Sequence, residues 1–353
     1  MPISQPADCG LACRQMFGRM FEVADILKYR SLAIVGLEKN TGKTECLNYI
    51  LRRVKGEARK FALTSVGIDG ENRDQVCQTP KPEIEVPEGM VFVTSEKHFL
   101  EKRLVAEILD ISEERTALGR LVTARAITSG KVLLSGPADT GGLKLLIARM
   151  KENGIQTTIV DGALSRLSLA SPAVTEAMFL ATGAAVSGNI PELVRRTKFV
   201  YELIGLEEVE TELQDVLDGV GQGVWAIDSE GKVVDLHLPS IFMLEKMGTD
   251  LFRFGNRLFV AGAVSDKLLQ YLRVQKQPVE LIIRDFTRVF AKPESYYAFL
   301  RKGGSLKVVH RSRLLAVTIN PVAPSGLVLD SDRLRDVMQE ALELPVYDVK
   351  RIE

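Results

Sequence analysis

The chain has 353 residues and a mass of 39.0 kDa, which at ~150 residues per domain suggests about two domains. Its 46 basic and 46 acidic residues leave no formal net charge, which argues against a nucleic-acid binder with a strongly basic surface. With 46% hydrophobic and 26% charged residues, neither a disordered chain nor a small disulfide-stapled scaffold fits.

Residues 1–20 mix Pro, Cys, Gly and Arg without an uninterrupted apolar stretch. They read as an N-terminal extension and not as a secretory signal. Met16 and Met20 follow closely, so 1–15 reads as dispensable. Cys9 and Cys13 form a C-x3-C pair, Cys46 and Cys77 stand apart, and His98, His237 and His310 are scattered. That pattern suits free thiols in a reducing cytoplasm better than a zinc site or a disulfide framework. No apolar run approaches the ~18 residues of a membrane span.

Residues 21–200 read as a nucleotide-binding domain. SLAIVG (31–36) is a short apolar run ending in glycine, a buried strand. Beyond EKNTGKT (38–44), the stretch 45–55 sets Leu47, Ile50, Leu51 and Val54 on one helical face. Strand signals recur at 60–67, 89–95, 131–136 and 156–161, and helices are expected over 98–109, 112–129 and 143–153. The run 178–186 fits a strand or a helix end. Strands alternating with helices imply crossovers, hence an α/β fold with a mainly parallel sheet and helices on both faces. Residues 201–353 read as a C-terminal α/β extension or smaller domain, suited to docking a partner. It opens on an acidic connecting helix over 199–219 and a hairpin over 223–236. Apolar runs follow at 257–264, 279–285, 306–310 and 314–320, then a helix over 331–344 and a last run at 345–349.

The segment GLEKNTGKT (36–44) carries the chemistry. Gly42-Lys43-Thr44 closes a Walker A loop, in which main-chain N–H groups at a helix N-terminus face an anion and the helix dipole favours negative charge. In this reading Lys43 reaches the β- and γ-phosphates of ATP and the Thr44 hydroxyl ligates Mg²⁺. Gly36, Lys39, Asn40, Thr41, Gly42 and Glu45 complete the nucleotide-binding set. The loop is one residue longer than usual, with Gly36 preceding the position held by Leu37. GKT alone is a weak signal; an apolar strand before it and an amphipathic helix after it make it specific. No Asn-Lys-x-Asp motif for guanine is present in the sequence, which favours ATP.

Asp161 ends the run TTIVD as a Walker B carboxylate would, holding Mg²⁺ directly or through water, with a turn aspartate before Gly162 as the plain alternative. Asp69, in TSVGIDGE (64–71), makes an Asp-Gly turn or, as a resemblance to the dimeric P-loop class implies, stands near Mg²⁺ and the attacking water. Arg166 is a phosphate contact or a solvent-facing arginine. Asp139, in SGPADTGG (135–142), opens a substrate loop or caps a helix. Thr182-Gly183 reads as close packing of small residues rather than a nucleotide contact, and Asn320-Pro321 as a plain turn rather than an adenine contact. The histidines show no partner spacing that would build a catalytic triad.

The extended G-x5-GKT form is similar to dethiobiotin synthetase and its relatives in the dimeric P-loop class, and Lys39 sits one place later than that class's extra lysine. IVGLEKNTGKT (34–44), TSVGIDGE (64–71), VDGALSR (160–166) and AVTINP (316–321) together resemble the P-loop subunit of the lysine 5,6-aminomutase reactivase. The resemblance runs from about residue 21 to the end. It implies a P-loop NTPase fold and a homodimer. The implied role is ATP-driven reactivation of an adenosylcobalamin-dependent aminomutase beside a MutS-like ATPase subunit. Two other functions fit the same loop: an ATP-dependent small-molecule ligase like dethiobiotin synthetase, and a nucleotide-regulated binding protein with little turnover.

Overall fold

The computed structural model describes residues 20–66, 84–116, 118–162, 171–238 and 251–352. A four-residue helix, α1 (Val23–Ile26), leads into β1 (Ser31–Gly36), every residue of which is buried. Burial on both faces is the signature of a central strand in a covered sheet. Helix α2 (Lys43–Val54) follows, then strands β2 (Phe61–Ser65), β3 (Ile84–Val86) and β4 (Val91–Ser95), and the short helix α3 (Glu96–Leu100). The chain continues through β5 (Ala106–Thr116), β6 (Gly119–Ala126), β7 (Gly130–Val132), α4 (Thr140–Glu152), β8 (Thr157–Asp161), β9 (Ala177–Gly183) and α5 (Ile190–Ile204). Next come α6 (Thr211–Asp218), β10 (Val224–Ile227), β11 (Val233–Leu238), β12 (Arg257–Val260), β13 (Glu280–Ile283), β14 (Ser305–Val308), β15 (Arg313–Asn320) and β16 (Val346–Tyr347).

The fold is mixed α/β with a large, mostly parallel sheet. Nine of the described strands form it, in the order β16-β15-β9-β1-β8-β2-β4-β6-β5. Pairs β15–β16, β1–β9, β1–β8, β2–β8 and β2–β4 are parallel, and β4–β6 and β5–β6 are antiparallel. Side chains alternate between faces along each strand. Leu32 and Ile34 of β1, Phe61 and Leu63 of β2, and Ile159 of β8 pack with Cys46, Leu47, Tyr49, Ile50 and Val54 of α2. Ala62 and Val91 lie with Met150 of α4, and Val160 with Leu143. Helices therefore cover both faces. Leu47, Ile50 and Val54 are fully buried at helical spacing, and each such side chain contributes about 1.5–3 kcal/mol.

The described residues fall into two compact units. The first lies within Met1–Ala170, Val174–Lys198 and Leu314–Glu353, and the second within Ser171–Ala173 and Phe199–Arg313. The second unit has its own five-stranded sheet, β11-β10-β12-β13-β14, with β10 and β11 the expected hairpin. Its core gathers Leu213, Leu217, Ile227, Phe259 and Ile282. The expectation of one C-terminal region over 201–353 differs from this division. From Leu314 the chain rejoins the large sheet, because β15 takes the place beside β9 and β16 pairs parallel with it.

Two further expectations are corrected. Helices are expected over 98–109 and 112–129; among the described residues only α3 is helical there, with Ser95 Oγ accepting from the His98 N–H at 3.3 Å. Ala106–Thr116 and Gly119–Ala126 instead form the β5–β6 hairpin, across whose end Thr116 Oγ1 donates to the Gly119 carbonyl at 2.7 Å. Pairing of β6 with β4 buries Leu121, Val122, Thr123 and Ala124 together, and a helix would expose half of them. The run 131–136 is not a strand of the large sheet. Its first residues, in β7, pair antiparallel with β3, because the place beside β4 is taken by β6. Among the described residues no helix is long and apolar enough to cross a membrane.

Candidate functional site

β1 delivers the chain to the C-terminal edge of the parallel sheet, and six residues separate its last glycine from the start of α2. Between them, Asn40 (φ 61°) and Gly42 (φ 91°) adopt left-handed backbone. Asparagine and glycine are the residues that tolerate this conformation best, so the sequence of the loop dictates its tight turn. The Glu38 carbonyl organises the interior, accepting from Thr41 Oγ1 at 3.0 Å and from Lys43 Nζ at 3.3 Å. The loop folds so closely over Gly36 that a Cβ there would lie 2.3 Å from Thr41 Oγ1 and 2.9 Å from Lys43 Cγ. The Leu37 N–H donates to the Ala181 carbonyl of β9 at 3.0 Å, pinning the start of the loop to the sheet.

Among the described residues no side chain caps α2 at Gly42. The amide donors of its first turn therefore face the loop with the positive end of the helix dipole behind them. By contrast α4 is capped by Asp139, whose Oδ1 accepts from the Gly142 N–H at 2.9 Å, so Asp139 serves as a helix cap. Charged neighbours frame the loop. Arg196 Nη2 donates to Glu38 Oε1 at 2.6 Å and its Nη1 to the Val186 carbonyl at 2.8 Å. Glu45 pairs with Lys350 at 3.2 Å. Lys39 is exposed on the loop, and Thr44 is half-buried in the first turn of α2.

Asp161 is brought to the loop by register. It ends β8 opposite Ile34 of β1 and Ser65 of β2, and the next N–H, of Gly162, donates to the Ile34 carbonyl at 3.2 Å. Its closeness to α2 is felt at Cys46. Burial pushes that thiol up to about 12; a hydrogen bond with Thr318 works the other way, and the Asp161 charge adds to the rise. Thr44 and Asp161 thus supply one hydroxyl and one carboxylate near the start of α2. Among the described residues no cluster of three His, Cys, Asp or Glu side chains is arranged for a metal. Mg²⁺ at a polyphosphate takes one or two protein oxygens, phosphate oxygens and waters, and this donor set fits that chemistry.

Asp69 and Arg166 lie outside the described residues. Thr182 Oγ1 and Thr197 Oγ1, both buried, share a hydrogen bond at 2.9 Å. His98 has a partner that spacing did not reveal: its Nδ1 shares a 2.7 Å hydrogen bond with Ser135 Oγ, and Ser95 Oγ lies 3.4 Å from that oxygen. All three are buried, His98 in α3, Ser95 at the end of β4 and Ser135 three residues beyond β7. His310 Nε2 pairs with Asp218 at 2.7 Å and His237 Nδ1 with Asp235 at 3.4 Å. The sequence reading missed Arg196, which nothing local marks and which reaches Glu38 across 158 residues of chain. It set Asn320 aside as a turn, yet Asn320 Nδ2 donates to the Asn40 carbonyl at 3.1 Å.

Compared with protein-family models, curated proteins and solved structures, the chain matches none of them.

Proposed function

We propose that the chain is a P-loop NTPase, a Mg²⁺-dependent ATPase whose loop 36–44 holds the polyphosphate. One observation carries this reading: buried β1 passes through a loop with two left-handed residues into the uncapped N-terminus of α2, with Asp161 on the adjacent parallel strand. Lys43 and the first-turn amides would stabilise charge on the β- and γ-phosphoryl oxygens, Lys43 exchanging the Glu38 carbonyl for a phosphate oxygen. Thr44 and Asp161 would hold Mg²⁺, which when bound neutralises phosphate charge, and Asp69 would orient water. Catalysis of this kind is positioning and electrostatics.

The four motifs that resemble the lysine 5,6-aminomutase reactivase extend the proposal to a role. The chain acts in the cytoplasm as a homodimer, coupling ATP hydrolysis to reactivation of an adenosylcobalamin-dependent aminomutase beside a MutS-like ATPase subunit. ATP hydrolysis, measured for the wild type and Lys43→Ala, tests the first part. The wild type should turn over ATP with Mg²⁺, and Lys43→Ala should not; equal rates discard the loop assignment. Adding an inactivated aminomutase tests the second: it should raise the rate. A rise with a small carboxylate or amine metabolite instead would turn the reading to a ligase.

A further inference from the structure

Asn320, the last residue of β15, reaches both left-handed residues of the loop with one side chain, bonding one and lying beside the other. Its Nδ2 donates to the Asn40 carbonyl at 3.1 Å. Its Cβ lies 3.0 Å from where a Cβ on Gly42 would stand, so the side chain covers the αL turn that opens α2. The amide is itself braced, since Oδ1 accepts from the Val322 N–H at 3.2 Å. The main chain of Asn320 is fixed as firmly. Its carbonyl accepts from the Ala184 N–H at 2.8 Å, an approach allowed because a Cβ on Gly183 would fall 2.1 Å from that oxygen. β15 thus reaches the loop through a rigid bracket, 280 residues away in sequence.

We infer that Asn320 is a positioning residue for the polyphosphate, acting through the main chain of Asn40 and Gly42 and not through the nucleobase. This rests on the reading of 36–44 as a phosphate loop. Asparagine tolerates the left-handed turn at Asn40, but at a cost that surrounding contacts offset, and main-chain donors bind an anion well only when their directions are set beforehand. One N–H and one lone pair of the amide are already engaged with Asn40 and Val322, so the group's fixed orientation is the one that braces the loop.

The test compares wild type and Asn320→Ala by calorimetric titration with ATP, with tripolyphosphate and with adenosine. The expected result is a parallel loss, on the order of tenfold, for ATP and tripolyphosphate, with adenosine binding unmoved. A purely structural role would weaken all three ligands, and a base-reading role would weaken ATP and adenosine while sparing tripolyphosphate. Either pattern overturns the inference, as does unchanged affinity for all three. If the alanine variant does not fold, Asn320→Ser keeps a polar group near the Val322 N–H without reaching Asn40, and the same pattern is expected. A wild type that binds neither ATP nor tripolyphosphate overturns the phosphate-loop reading itself, which separates the two failures.

Discussion

Arg196 on α5 grips Glu38 inside the loop, with Nη2 2.6 Å from Glu38 Oε1 and Nη1 2.8 Å from the Val186 carbonyl. Both side chains are 41% exposed, so the ion pair as such is worth about 0–1 kcal/mol to stability. Its consequence lies elsewhere, because the carbonyl of the same Glu38 receives Thr41 and Lys43. Arg196→Ala is therefore expected to leave the urea midpoint almost unchanged while weakening ATP binding several-fold. A destabilisation above about 1 kcal/mol with unchanged ATP affinity would make Arg196 a brace for α5 alone.

Gly36 is where the loop tolerates no side chain. A Cβ would meet Thr41 Oγ1, which is buried and tied to Glu38, and the root of the Lys43 side chain. Overpacking of this kind costs about 1–3 kcal/mol or displaces the loop. Gly36→Ala should abolish ATP binding and lower the melting temperature. Gly56→Ala is the control: a Cβ there meets nothing within 4 Å, and its effect should stay within about 0.5 kcal/mol. Equal behaviour of the two variants would show that the loop is not closed over Gly36.

The legibility of these features followed sequence distance. β1, the loop and α2 are contiguous, and the apolar run, the Asn and Gly at turn positions and the apolar face of the helix are all local facts. The β5–β6 hairpin is where the helix expectation over 98–129 fails, because nothing local in 106–126 shows the strand it must pair with. What decides it is pairing with β4, and strand preference depends on such context. The return of 314–353 to the first unit was hidden for the same reason, since only the neighbouring β9 makes β15 a strand of that sheet. Asn320 was read as a turn because Asn-Pro is a turn signal; its grip on Asn40 exists only once β15 lies beside β9. Arg196 had no local signal at all.

Asp161 offers a test that separates metal from nucleotide. Its position is set by the β1–β8 and β2–β8 pairing and does not depend on its charge, so Asp161→Asn should fold as the wild type does. Under the Mg²⁺ role, turnover should fall on the order of 10²-fold, with ATP affinity in the absence of Mg²⁺ unchanged. If affinity without Mg²⁺ falls as far as turnover, Asp161 contributes to the shape of the loop and not to the metal.

His98 ties stability to pH in a window of its own. Burial holds its imidazole below the ordinary value of 6.5; Glu101 opposes that shift and Lys97 adds to it. The unfolded chain therefore takes up a proton near pH 6.5 that the folded chain refuses, and stability falls as pH drops through that value. Above it the contribution is fully present. The carboxylates of Glu96, Glu192 and Glu210, held below 4.5, and of Asp266, held below 3.8, lose their stabilisation only as pH falls below those ordinary values. Urea unfolding at pH 8 and pH 5.5, compared between the wild type and His98→Gln, isolates this histidine. Wild type should lose more stability across that interval than His98→Gln, whose amide can still reach Ser135 but cannot titrate. An equal loss in both proteins would place the pH response outside the buried His98–Ser135 pair.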